Sequence, residues 1–220
     1  MCFSAEADIL AGVIVTGVGV DALRHVRHHR EMALAALPIL FGLHQLIEVP
    51  VWWGVGGQVS AEVASGAAWL YLIIAFGVIP WVVPAAIRQL EPDRRRRSLM
   101  TGLIGLGVVV AAALTIPTVL GPITVADGGQ YLDYSAPLVF GGVITVLYVL
   151  ATCGAFLLSS DRVVRIAGML NLAVVATLAV MLTSGVISLW CVWAAVSSVA
   201  IAVHLRRMHR QPRPIVAVAQ

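Results

Sequence analysis

Lysine is absent from this chain. All 14 basic residues are arginines, and charged side chains make up only 11% of its 220 residues, against roughly 25% in an ordinary soluble domain. Without a lysine amine no Schiff base to retinal can form, so a rhodopsin-type pigment is excluded on chemical grounds. Cysteine is nearly absent too. Cys2, Cys153 and Cys191 show neither CxxC nor CxxCH spacing, which argues against a zinc ribbon, a thioredoxin-type pair and a c-type haem. The first eight residues hold two acids and no base, so they lack the n-region of a secretory signal, and the first apolar stretch is expected to remain as a span. A pI near 9.1 alone would admit nucleic acid, but the arginines punctuate apolar runs instead of lining one face, and no nucleic acid is expected.

What the chain has is apolar length. Hydrophobic residues make up 60% of it, and mean hydropathy is +0.96. Seven runs long enough to cross a hydrocarbon core of roughly 30 Å as helix lie near Phe3–Val20, Ala33–Trp53, Ala64–Ile87, Leu99–Leu120, Ala136–Leu158, Val164–Thr183 and Gly185–Leu205. The expected fold is an all-α, polytopic transmembrane helix bundle of seven spans, a single domain over residues 1–210 with a cytoplasmic tail at 211–220. Only Thr183-Ser184-Gly185 separates the last two runs, so six spans with one broken helix is the alternative.

Arginine sets the orientation, because short cytoplasmic loops are enriched in basic residues. The clusters are Arg24, Arg27 and Arg30; Arg88 and Arg94 to Arg97; Arg162 and Arg165; and Arg206, Arg207, Arg210 and Arg213. They fall in every second connection and in the tail, while Gly54–Ser65, Gly121–Ser135 and Thr183–Gly185 contain no base. An outside N-terminus, a cytoplasmic C-terminus and a multi-pass position in the cell (inner) membrane satisfy that pattern. Ser4 suits a helix N-cap, with Glu6 and Asp8 favourable in the first turn. Pro80 and Pro84 predict a kink in span three, and Gly102, Gly105 and Gly107 predict close helix approach in span four.

The candidate site lies in span two. An acid at the bilayer centre costs on the order of 2.5–3.5 kcal/mol, and less toward the interface, so Glu48 is expected to face the bundle and to have a partner. His44, Glu48 and Trp52 follow one another at spacings of four and share a face, with Gln45 on its shoulder. Two readings stand: proton handling, metal ligation or capture of a polar ligand group, or a Glu48 bonded to His44, Gln45 or a neighbouring Tyr or Trp that fixes packing. Cys2 is placed at the outer mouth near this stripe, and Cys191 lies in the same half. Cys2 reads as a disulfide partner, a reactive or metal-binding thiol, or a small filler. Asp21, His25 and His28 or His29 have helical metal-ligand spacing, but a solvated flank among arginines explains them better, and no metal is assigned. Trp52, Trp53, Trp69, Tyr71, Tyr131 and Tyr134 read as an interfacial aromatic belt, Trp190 and Trp193 as walls of a deeper pocket, and Arg94 to Arg97 as a topology anchor that also attracts anionic lipid.

The residues Met1-Cys-Phe-Ser-Ala5, Asp21-Ala-Leu-Arg24, Gln45-Leu-Ile-Glu48 and Trp52, with Glu91 and the arginine run after it, resemble an uncharacterised family of small bacterial membrane proteins. The resemblance implies a multi-span fold and supplies no activity. Its pattern has a second glutamine where His44 stands, which ranks Cys2, Gln45 and Glu48 ahead of His44. Alkaline ceramidases share the span count, but the last span here has no paired histidines, only His204 and His209 near its cytosolic end. The expected function is a membrane-embedded binding or transport module for a small molecule or an ion. Glu48, Gln45 and His44 would supply its polar contacts and Trp52 a wall. The alternatives are an outer-leaflet enzyme using Cys2 and Glu48, and an accessory subunit. Membrane lipids are expected partners, a homo-oligomer or a larger membrane complex stays open, and no cofactor is named by these residues.

Overall fold

The first helix begins where the sequence offers a cap. Ser4 Oγ accepts from the Ala7 N–H at 3.3 Å, and α1 runs over Ala5–Arg24. In the computed structural model, which describes residues 4–129, 131–135, 141–181, 199, 200 and 203, five further helices follow. They are α2 (His29–Val55), α3 (Ala61–Leu90), α4 (Arg94–Leu120), α5 (Gly141–Leu158) and α6 (Arg162–Met181). Ser60 caps α3 and Asp93 caps α4 by accepting from Val63 N and Arg96 N, satisfying first-turn donors that have no partner within the helix. These six helices fall on the first six expected apolar runs. Four of them, α2 to α5, are long and apolar enough to cross a membrane; α1 carries Glu6, Asp8, Asp21 and Arg24 within twenty residues. The seventh run and the Thr183–Gly185 turn lie outside the described residues, apart from residues 199, 200 and 203.

Chain neighbours pack on one another. α1 lies along α2, α2 against α3, and α3 against both α4 and α5, with α6 on α5. The core they enclose is built around Leu34, Tyr71, Leu72, Ile87, Met100 and Val110.

The kink expected from the prolines of α3 takes a specific form. Residues Ile73–Val78 are wound as π-helix, and the Ile79 N–H reaches back five residues to the Ile74 carbonyl. The next donor in that register would be residue 80, but proline has no N–H. The Ala75 carbonyl is therefore left over, and Tyr148 of α5 donates its hydroxyl to it at 2.8 Å. A backbone defect made by the sequence of one helix is closed by a side chain of another.

Of the three glycines in α4, one performs the expected service. A side chain at Gly107 would overlap the Pro80 carbonyl, so α4 and α3 meet backbone to backbone there. Gly102 and Gly105 have no atom within 4 Å of where a Cβ would stand. One helix face points to one neighbour, and a spacing of two or five residues turns the other glycines away from it.

The connection after α4 holds a feature absent from the expected all-α fold. β1 (Thr124–Asp127) and β2 (Leu132–Ser135) form an antiparallel hairpin with Val125 opposite Tyr134. Asp127 Oδ1 accepts from Gly129 N at 2.7 Å, and Gly129 takes a φ of 85°, a conformation that favours glycine. Leu132 is 1% exposed and seats the hairpin on Val51 and Ala68.

The Gly107 contact yields a contrast within one helix. Gly107→Leu should lower stability by about 1–3 kcal/mol through overpacking, whereas Gly105→Leu should stay within about 0.5 kcal/mol of wild type. Thermal unfolding of both variants in detergent micelles measures the difference.

Candidate functional site

Three polar side chains of α2 are sealed inside the bundle: His44 and Glu48 are 0% exposed and Gln45 is 1% exposed. The stripe expected from the sequence is therefore real as a buried row. It sits near the hairpin end of α2, where Glu48 precedes the helix end at Val55 by roughly 10 Å at 1.5 Å per residue. Burying such groups without hydrogen bonds costs on the order of 2 kcal/mol or more each, and His44 and Glu48 find bonds across elements.

His44 donates from Nε2 to the Tyr71 carbonyl at 3.0 Å, which ties α2 to α3 just before the π-helical segment. Its ring stacks on that of Tyr71, with centroids 3.9 Å apart and planes inclined by 21°. Tyr71 stacks in turn on Tyr134, at 4.9 Å and 11°. Tyr134 belongs to β2, and its hydroxyl donates to Glu48 Oε1 at 3.0 Å. Three rings and a carboxylate thus form one block contributed by α2, α3 and the hairpin, and Tyr134 of the hairpin covers Glu48. Geometric regularity of this kind, with stacked aromatic faces and a phenol on a carboxylate, suits both proton handling and selection of a flat or cationic group.

Trp52 differs from its expected role as a wall beside Glu48. Its indole N–H donates to Asp8 Oδ2 of α1 at 3.0 Å, while its ring packs by the Val51, Ala68 and Leu132 cluster. Asp8 is 0% exposed, so the acid read as a helix-dipole partner is in fact an interior group joined to α2. Tyr71 and Tyr134 also depart from the interfacial belt: Tyr71 is 0% exposed and both belong to the stack. An inward-facing tyrosine and an interfacial one look alike in sequence; the partner at a separation of 86 residues distinguishes them. Trp53 is 37% exposed. Cys2, Cys191, Trp190 and Trp193 lie outside the described residues.

The histidine-rich flank assembles no site. α1 ends at Arg24, His28 is the N-cap of α2 and His29 its first residue, so the helical spacing from Asp21 is interrupted. His25 Nδ1 donates to the Asp21 carbonyl at 2.7 Å and lies 3.6 Å from Asp21 Oδ1. Among the described residues no three His, Cys, Asp or Glu side chains are grouped to hold a metal.

At the opposite end of the bundle Glu91 clasps two connections together. Its carboxylate accepts from Ser160 Oγ at 2.5 Å, Ser160 N at 2.8 Å and Asp93 N at 3.2 Å. Arg97 donates to the Glu91 carbonyl, Arg96 to the carbonyls of Leu158 and Ser159, and Arg165 to that of Ser159. Burial pushes the Glu91 carboxyl up, but the Ser160 and Asp93 hydrogen bonds and the Arg96 charge together outweigh it and hold the group below the usual carboxylate range.

An apolar helical bundle that buries a carboxylate, an amide, an imidazole and stacked tyrosines near its hairpin is the class defined by fold and site together. The chain belongs to a family of unknown function, DUF6629, whose model matches residues 1–217. The uncharacterised family expected from the opening and span-two motifs agrees with that membership. No curated protein and no solved structure matches the chain.

Two outcomes follow from these contacts. Tyr134→Phe removes the donor to buried Glu48 and should cost about 1–3 kcal/mol of stability, with faster amide exchange in the hairpin than in α4. Glu91 has a depressed pKa when folded, so its contribution is complete above the ordinary carboxylate pKa and is lost as pH falls through the folded value. Protection of the Ser160 amide, its exchange rate taken relative to the intrinsic rate at each pH, should therefore fall on acidification in wild type, and that acid response should be absent in Glu91→Gln.

Proposed function

We propose that the protein is an integral membrane protein of seven spans that binds or transports a small molecule or an ion through a polar site in the outer half of its bundle. The observation that carries this reading is the buried row of His44, Gln45 and Glu48 inside a largely apolar bundle, closed from one end by Tyr134 of the hairpin. Ionisable groups placed at membrane depth are expensive and characteristically mark ligand or ion pathways. Glu48 and Gln45 are the polar contacts in this reading, with Tyr71 and Tyr134 as walls and Trp52 holding α1 in place through Asp8.

The topology proposed with it has the N-terminus outside and the C-terminus cytoplasmic in the cell (inner) membrane. What supports this is the arrangement of the charges. Arg24, Arg30, Arg88, Arg94 to Arg97, Arg162 and Arg165 lie at those helix ends that alternate along the chain, and the hairpin between α4 and α5 carries Asp127 and Asp133 with no base. Homo-oligomerisation or membership of a larger complex is compatible with the reading, and nucleic acid is no part of it.

A structural reading has an observation of its own: Glu48, His44 and Trp52 each bond a protein group. In that case the chain is an accessory subunit whose polar row fixes packing.

Native mass spectrometry and elemental analysis of gently purified wild-type and Glu48→Gln protein separate the two. A stoichiometric molecule or ion bound to wild type and lost in the variant is expected. A wild-type bundle with nothing bound, together with copurification of a larger complex, would overturn the binding reading in favour of the accessory one.

A further inference from the structure

The Glu91 clasp sorts the arginines at its end of the bundle into two sets. Arg96, Arg97 and Arg165 direct guanidinium donors at the carbonyls of Leu158, Ser159 and Glu91. Arg94, Arg95 and Arg162 are exposed, and their side chains bond no other described residue. These three stand in the first turns of α4 and α6, where the helix dipole makes a cation unfavourable. The acids close by are engaged with backbone N–H groups: Glu91 with Ser160 and Asp93, Asp93 with Arg96, and Asp161 with Val163 and Val164. The clasp thus brings two helix starts together and leaves their outward guanidinium groups for an anion from outside the described chain.

The surface beside these arginines says which anion. Leu99, just past the first turn of α4, is 53% exposed, and Val163 and Ile166 near the start of α6 are 43% and 41% exposed. Charged and apolar groups so arranged match an amphiphile, with its phosphate at the arginines and its hydrocarbon along the helices; a free phosphate ion has no use for the apolar part.

We propose that Arg94, Arg95 and Arg162, with Leu99, Val163 and Ile166 beside them, form a binding site for an anionic phospholipid. Guanidinium groups take the phosphate by paired, charge-assisted hydrogen bonds, and the acyl chains lie on α4 and α6. The Glu91–Ser160 contact builds the site without touching the lipid, because it sets the spacing between the two helix starts. The site rests on the membrane-spanning part of the proposed function and is independent of Glu48 and its ligand.

Alkaline carbonate extraction of membranes carrying the full chain comes first; release of the protein would refute the membrane reading itself. The retained protein is then purified in mild detergent, offered phosphatidylglycerol or phosphatidylcholine, and its bound lipid counted by native mass spectrometry. Wild type should prefer phosphatidylglycerol, and the Arg94→Gln/Arg95→Gln/Arg162→Gln variant should lose about fivefold of that preference per arginine. Ser160→Ala removes no charge, so general attraction to an anionic surface leaves its preference as in wild type, whereas a built site loses the preference severalfold. An unchanged preference in either variant overturns the proposal. Displacement of the phosphatidylglycerol by inorganic phosphate assigns the arginines to a free anion and overturns it as well.

Discussion

A polar group inside an apolar bundle has no solvent to turn to, and this constraint organises the structure. Three interior polar contacts each join two separate elements: Glu48 to the hairpin, His44 to α3, Trp52 to α1. Van der Waals packing alone leaves the rotation of a smooth apolar helix weakly determined, because lipid solvates its faces about as well as another helix does. A row of three polar residues on α2 removes that freedom. Turning α2 away from α3 and the hairpin would strand a carboxylate, an amide and an imidazole in hydrocarbon.

The two ends of the bundle use the same constraint with opposite chemistry. At the hairpin end a carboxylate, an imidazole and stacked tyrosine rings meet with no arginine among the described residues bonded to them, and the contacts are deeply buried. At the other end the Glu91 carboxylate lies among arginines, and its hydrogen bonds hold the connections before α4 and α6 in register. The division follows the charge asymmetry already present along the chain.

Much of this was legible in the sequence, and the failures have a common cause. A charge within a long apolar run announces that it must face inward, so Glu48 and its neighbours on α2 were found from spacing alone. The Ser4 cap was found for the same local reason. What stayed hidden were the partners. Asp8 in a first helical turn looks like a dipole effect, and Tyr71 and Tyr134 look like interfacial residues, until folding brings together positions 44 and 86 residues apart. The hairpin did leave a local mark, Asp127-Gly128-Gly129 between alternating apolar residues, but strands of four residues are faint beside runs of twenty. The glycines of α4 were grouped by composition, and only the facing of Gly107 separates it from the other two.

The π-helical turn in α3 carries a consequence for how such a chain can change over generations. Its orphan carbonyl exists because residue 80 is proline, and the hydroxyl that answers it belongs to residue 148 on another helix. The two positions form a unit of inheritance. A relative with an N–H-bearing residue at 80 can restore ordinary helical bonding and dispense with the hydroxyl at 148, whereas a relative that keeps the proline is bound to keep a donor there, so substitutions at these sites should travel in pairs.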